Sequence, residues 1–553
     1  MTRSEAGTPR RPEAAKAAER ATDVLGLVGL VASVVIAGSS VSLARFQPGG
    51  LDFVPGLRFL RGRLGRQVFL VVLIAAMACL GAAWWFLRGV GGRRRWVYLG
   101  AWLIPLLVAL PTISSDLYNY AEQGWALVHG ADPTMVPAGT VAGPFRGWAG
   151  YWVGTTVRYP QLGLALSALS VLLGFGHQYP TLVALRIWPV LGLLLLVVAV
   201  IALSPDRGPA AADRAWLAAA NPVVLMHGIV DGHSDLLAVS LVLLGVAWFE
   251  GRPGRRRSGW SRWSVAAALW LTAGLIKPTA LLLLAVLPWL HRRAPLGALR
   301  RLVRLSVSGA VVAGCVAATT AVTFLLPGGL HWLSGTGDPG TFTDSLPRVA
   351  QMVVWEVSRH VAGVGTDHPP FGSVIVPVSL AATLLFIAVA VVSSTSLEAW
   401  TVALIVLAGL ALLGPASRPW YFLGIAPSLA LLPTTGRREA LLWLQFLLWG
   451  LVRLPTLFVN GIVVSLVPWV AIGVVIVIAH LDVVSRRAAG AGTSVLAGVQ
   501  VVDDEARHVV GGGVAEQLGE ETHLALEAPT PSGARPEPVP LARERHEGDR
   551  QPA

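Results

Sequence analysis

Apolar runs of about 15 to 25 residues recur along the chain from Val24 to about His480, separated by short polar stretches. A helix needs ~20 apolar residues to cross the hydrocarbon core, so the pattern predicts an all-α, polytopic transmembrane bundle with about a dozen crossings. Runs at 24–44, 68–87, 96–110, 305–326, 372–394, 398–414, 420–433, 440–457 and 461–481 read as spans. Two runs depart from this rule. The stretch "QLGLALSALSVLLGFG" (161–176) is short and predicts a partial insertion. The run 264–290 has basic loops at both ends, so it must return to its own side, as two short arms hinged at Lys277–Pro278. Between the third run and the rest, "SSDLYNYAEQG" (114–124) opens a polar segment. A short helix over 116–128, lying along the membrane surface, places Asp116, Tyr120 and Gln123 on one face at i, i+4 and i+7.

Charge gives these runs a direction. Only 13% of residues are charged, the mean hydropathy is +0.63, and the formal net charge is +12. The basic residues gather in short loops at 91–96, 251–263, 291–304, 434–439 and 485–490, which the positive-inside rule assigns to the cytoplasm. Both termini are then cytoplasmic. The loops at about 111–160 and 327–370, with "SRPWYF" (417–422), fall outside. The expected organisation is a cytoplasmic tail (1–23), a membrane domain (24–484) and a cytoplasmic tail (485–553), the last rich in Gly, Pro, Glu and Arg and expected to be disordered. The first run is too long for a signal-peptide core and reads as a retained anchor. Arg45, Arg58, Arg61, Arg63 and Arg66 lie in a loop assigned outside; they fit an amphipathic helix at the headgroups, with inverted topology as the rival reading. Nucleic-acid binding is not implied. Cys79 and Cys315 sit in apolar runs and suggest neither a disulfide framework nor a zinc site.

The candidate chemistry lies on the face assigned outside. Asp116 can act as a general base or as a helix N-cap, since "SSD" is a common helix start. Tyr120, Glu122 and Gln123 follow it and could bind a polar ligand. In "NPVVLMHGIVDGHSD" (221–235), Asp231, His233 and Asp235 stand between two apolar runs. They could contact substrate hydroxyls or form a polar interhelical turn; their spacing is a weak metal pattern, and no metal is expected. Lys277 is one of two lysines, the other being Lys16, and an ammonium in an apolar run is either functional or snorkelling to the interface. Arg418, Trp420 and Tyr421 stand where the chain re-enters the bilayer; an aromatic belt accounts for the rings, and Arg418 suits a phosphate. There is no Walker A loop and no dinucleotide fingerprint, which argues against ATP-driven or nucleotide-sugar chemistry.

Taken in order, "SSDLYNYAEQG", "HGADPT", "NPVVLMHGIVDGHSDLLAVSLVLLGVA", "AGLIKPTALLLLAVLPWL" and "SRPWYFLGIAPSLALLP" resemble the membrane glycosyltransferases of the GT-C superfamily. More narrowly, they are similar to the actinobacterial polyprenol-phosphate-mannose-dependent α-(1→6)-mannosyltransferases of lipomannan and lipoarabinomannan assembly. The resemblance implies a GT-C-type helical bundle in the plasma membrane with an extracytoplasmic site, a polyprenyl-phosphate-mannose donor, a lipid-linked mannan acceptor and inversion at the anomeric carbon, with no cofactor. Asp116 is the position that matches the catalytic carboxylate of the first large outer loop. Tyr120, Glu122, Gln123, His233, Asp235, Lys277, Arg418, Trp420 and Tyr421 are then the expected substrate contacts, with Lys277 or Arg418 on the departing phosphate. The sequence departs from the pattern at "VRYPQLGL" (157–164) and at Arg418. A transporter or lipid flippase, or a GT-C enzyme using another donor such as a polyprenyl-phosphate arabinofuranose, are the alternatives.

Overall fold

The structure is a computed structural model and describes residues 11–43, 63–89, 92–148, 152–251, 259–290, 296–334, 345–361, 372–394, 397–415 and 418–451. Among these residues every regular element is helical. Helices α1 (Arg11–Leu43), α2 (Arg63–Leu87) and α3 (Arg94–Val108) pack together and lead into α4 (Asp116–Val128), the short polar helix expected from the sequence. Then come α5 (Gln161–Leu173), α6 (Gln178–Leu185), α7 (Ile187–Leu203) and α8 (Pro209–Ala219), a π-helical segment (Val224–Val230), and α9 (Asp235–Glu250). Helix α10 (Gly259–Ile276) passes through Lys277 into a 3-10 segment (Pro278–Trp289), followed by α11 (Ala298–Phe324), α12 (Leu346–Val361), α13 (Gly372–Ser393) and α14 (Ala399–Leu413). A second 3-10 segment (Pro419–Gly424), α15 (Ile425–Leu431) and α16 (Gly436–Leu451) complete the described chain.

Not every apolar run forms one long continuous helix among the described residues. Among these residues, five helices are long and apolar enough to cross a membrane: Ala15–Ser40, Val68–Leu87, Gln178–Leu203, Ala298–Phe324 and Val374–Ser393. A sixth is possible if the π-helical segment and α9, bent by 113°, form one broken span. Several other runs are divided by polar or proline-containing breaks. Asn221 marks one of them: its amide donates to the carbonyls of Leu217 and Ala218 at the end of α8, and its oxygen accepts the Val224 N–H that opens the π-helical segment. Broken backbone of this kind persists at membrane depth only where protein or a polar cavity satisfies it. The most apolar windows of α11 and α13 are only 11% and 17% buried, which makes them lipid-facing, whereas that of Gln178–Leu203 is 50% buried and central.

Contacts between the polar loops fix the two ends of the bundle. Arg88 pairs with Glu439 at 2.9 Å, buried Arg95 pairs with Asp213, and Arg214 donates to the carbonyls of Ala430 and Leu432. Three widely separated basic stretches therefore meet at one end. Helix α3 begins there with Arg94 and rises ~22 Å along its axis before the chain reaches α4, which stands at the other end. Arg63 and Arg66 form the first turns of α2. Arg45, Arg58 and Arg61, the run 461–481, most of 335–371 and the tail 485–553 lie outside the described residues.

Candidate active site

The floor of the site is set by two buried side chains. Arg186, at the junction of α6 and α7, donates to the carbonyls of Leu182, Ala109, Ile229 and Val230 at 2.6–3.2 Å. Asp231 Oδ1 accepts the N–H groups of Thr112 and Ile113 at 3.0 and 3.1 Å. The extended segment after α3 is thereby clamped to the break before α9. Gly232 closes the turn with φ +66°, and a Cβ there would meet Leu117 Cδ1 at 2.4 Å, so only glycine lets the turn tuck beneath α4. Asp231, weighed from sequence as a metal or substrate ligand, faces the backbone with one oxygen.

Helix α4 carries the candidate base. Its N-cap is Ser115, which makes no capping bond, and Asp116 is the first helical residue, so the capping role does not describe Asp116. The Asp116 carboxylate is 4% exposed and lies 3.8 Å from His233 Nδ1. Burial raises its pKa above the ordinary carboxylate value, with Lys277 and Arg418 pulling the other way. A carboxylate held in this way takes up a proton more readily than one in water. One turn on, the Tyr120 ring meets Tyr159 edge-on at 5.9 Å and His233 at 6.5 Å. Gln123 is buried with Oε1 unpartnered. Glu122 does not join them: its Oε1 accepts the Gly147 N–H at 2.7 Å, tying the outer loop to α4. The helix is held against α5 by Gly124, where a Cβ would lie 2.4 Å from the Ser167 carbonyl oxygen.

The cationic side of the site comes from the two breaks foreseen and from one loop that was not. Lys277 is extended (φ −150°, ψ 101°) between α10 and the 3-10 segment, at the expected hinge. Its Nζ lies 3.4 Å from Asp235 Oδ2 and 3.8 Å from the centre of the Tyr159 ring, which a buried ammonium favours. Lys277 therefore points into the protein rather than to the interface. Trp420 stacks on His233 at 4.1 Å with 17° between the rings, and Arg418 lies 5.8 Å from the rings of both Trp152 and Trp420.

Asp116, Gln123, Lys277, Arg418, Trp420 and Tyr421 line one open cleft of about 290 Å³, at the lower end of ligand-pocket sizes. His233, Asp235 and Tyr120 stand directly behind these lining groups. Asn119, Trp152, Thr155, Thr156, Arg158, Tyr159 and Thr279 also line it, and none was singled out from sequence. The available signal was "VRYPQLGL", noted only as a departure from a pattern. One wall presents a carboxylate, another presents an ammonium and a guanidinium, and aromatic faces lie between: an arrangement able to activate a hydroxyl beside an anionic leaving group.

Residues 26–293 match the model of the family described as "Alpha-(1->6)-mannopyranosyltransferase, N-terminal domain". The chain resembles the alpha-(1->6)-mannopyranosyltransferases. Relatives of that name include alpha-(1->6)-mannopyranosyltransferase A of Mycobacterium tuberculosis, 34% identical over 179 residues (32% of this chain, 34% of the relative), and that of Corynebacterium glutamicum, 29% identical over 181 residues (32% and 36%). A probable alpha-(1->6)-mannopyranosyltransferase of Mycolicibacterium smegmatis is 26% identical over 373 residues (61% and 65%). The chain thus spans about a third of the length of the first two of these mannopyranosyltransferases and 65% of the third. No solved structure matches. The stretch matched by the mannopyranosyltransferase family model contains Asp116, His233, Asp235 and Lys277; Arg418, Trp420 and Tyr421 lie beyond it.

Proposed function

We propose that this chain is a GT-C-type mannosyltransferase that moves mannose from a polyprenyl-phosphate donor to the 6-hydroxyl of a mannan acceptor, with inversion, in lipomannan or lipoarabinomannan-type synthesis. The observation that carries this reading is the shared cleft: Asp116 stands on one wall, and Lys277 and Arg418 on the others. Asp116 takes the proton of the acceptor hydroxyl as its oxygen bonds to the anomeric carbon. The bond from that carbon to the phosphate oxygen breaks, and the polyprenyl phosphate leaves with its charge met by Lys277 and Arg418. The step is complete without a metal on the phosphate. Trp420 and Tyr421 offer faces for a sugar ring.

Orientation belongs to the same proposal. The loop contacts that gather Arg88, Arg95 and Arg214 at one end support a cytoplasmic location for that end. The cleft then opens at the outer face of the plasma membrane, where a lipid-linked donor and a lipid-linked acceptor meet. The test is reconstitution of the purified full chain in lipid nanodiscs with polyprenyl-phosphate mannose or polyprenyl-phosphate arabinofuranose and short α-(1→6)-mannosides. A product one mannose larger, with a new α-(1→6) linkage by mass and methylation analysis, is expected. Transfer from the arabinofuranose donor alone would overturn the sugar, and absence of any product with an intact, folded protein would overturn the reaction.

A further inference from the structure

The break before α9 holds a second cluster that the proposed reaction leaves unused. His227, Asp231 and His233 are wholly buried, and one ligand atom from each lies within 4.8 Å of the other two. Asp231 Oδ1 is engaged by the Thr112 and Ile113 amides, while Oδ2 has no hydrogen-bond partner and faces His227 Nδ1 at 3.4 Å. The other nitrogen of that ring, Nε2, is 2.9 Å from the Gly450 carbonyl oxygen. A carbonyl only accepts, so Nε2 carries the proton and Nδ1 of the neutral ring presents a lone pair. A lone pair thus points at a carboxylate oxygen in a fully buried site, which is unfavourable unless positive charge lies between them. His233 adds two buried ring nitrogens, neither of them hydrogen-bonded.

We propose that His227 Nδ1, Asp231 Oδ2 and a His233 ring nitrogen bind a divalent transition metal of the zinc class. Tetrahedral bonds of ~2.1 Å set two ligand atoms about 3.4 Å apart, the separation that His227 and Asp231 already have. A His233 ring nitrogen lies within 4.8 Å of both, and the third bond forms as that ring moves in. Two imidazoles with one carboxylate favour zinc over magnesium or calcium, which prefer all-oxygen shells. Asp231, Asp116 and Asp235 offset the added charge, against Lys277 and Arg418. The trio differs from the one weighed in the sequence, because Asp235 turns to Lys277 and the π-helical segment brings His227 back toward Asp231. It also departs from the sequence-based expectation of no metal. The metal sits behind Asp116 and away from the leaving phosphate, and makes His233 a positioning residue: tethered on one side, stacked on Trp420 on another, and 3.8 Å from Asp116. The proposal stands whichever sugar is transferred.

The experiment uses the full chain, purified in detergent, stripped with a chelator, reloaded with Zn²⁺ or Co²⁺ and dialysed. Expected results are stoichiometric retained metal by mass spectrometry, visible tetrahedral absorption bands in the cobalt form, and a rise in Tm on zinc addition. Asp231→Asn and His233→Gln lose the retained metal and the cobalt bands, whereas His129→Gln, at an exposed histidine outside the cluster, keeps both. Wild type that retains neither metal, or variants that retain it as wild type does, overturn the proposal and leave a His227 imidazolium paired with Asp231. If the variants do not fold, the wild-type cobalt spectrum and zinc-dependent Tm decide alone.

Discussion

Lys277 Nζ lies 3.4 Å from Asp235 Oδ2, joining the hinge after α10 to the first residue of α9 across 42 positions of sequence. Both side chains are under 10% exposed, at 7% and 6%. Removing one partner of a buried ion pair strands the other charge and costs about 3–5 kcal/mol, whereas replacing both is far milder. Asp235→Asn should therefore lower the unfolding midpoint well below that of wild type in the same detergent. Asp235→Asn combined with Lys277→Met should recover much of the loss. Equal midpoints for the single variant and wild type would show that the pair carries no stability.

Asp116→Asn keeps the size and hydrogen-bonding capacity of the side chain and removes its basicity. With donor and acceptor supplied, transfer should fall by about 10² to 10⁴. Monodispersity and donor retention should stay near wild type. Turnover within a factor of about three of wild type would remove Asp116 as the base.

Parts of this architecture were legible because they are written locally. A polar helix after an apolar run, with its residues in register at 116, 120 and 123, needs only periodicity, and α4 occupies Asp116–Val128. The Lys277–Pro278 hinge needs only a charged residue and a proline inside an apolar run. Glu122 could have been set aside on the same grounds, since it stands ~120° round the helix from the Asp116 face. The break at Asn221 was not legible: apolar composition is shared by continuous helices and by short helices broken there, and only tertiary hydrogen bonds distinguish them. Tyr159, Arg186 and the His227–Asp231 contact were also hidden. The first two earn their place from partners 40 or more positions away, such as Lys277 for Tyr159 and Val230 for Arg186. The third is a short-range contact that depends on π-helical geometry at one break.

The Tyr159 ring lies 3.8 Å from Lys277 Nζ, and its face should matter more than the hydrogen bond its hydroxyl shares with Lys277. A desolvated cation–π contact is worth up to ~2 kcal/mol, about thirtyfold in a rate or binding constant. Tyr159→Phe should keep donor use within a few-fold of wild type, and Tyr159→Leu should lose roughly ten- to thirtyfold in kcat/KM for the donor. In the proposed reaction charge at position 277 meets the leaving phosphate, so Lys277→Arg should retain part of the activity and Lys277→Gln little. If Phe and Leu behave alike at position 159, the ring face is not what holds Lys277.

The proposed orientation can be checked without any substrate. Thr140 lies in the loop after α4, exposed, at the end of the bundle where the cleft opens. Arg207 is exposed in the turn between α7 and α8, beside Asp206, which pairs with Arg214 at the end where the basic loops meet. Cys79 faces lipid and Cys315 is half-buried, so both can be replaced by alanine to leave a chain without thiols. A thiolate forms readily in water and poorly in hydrocarbon, so an exposed loop cysteine reports the aqueous side on which it stands. In whole cells, Thr140→Cys should react with a membrane-impermeant maleimide. Arg207→Cys should react only after the membrane is opened. The opposite pattern would place the cleft in the cytoplasm, remove the polyprenyl-phosphate donor's outer-face rationale, and direct the search for substrates to sugars available inside the cell.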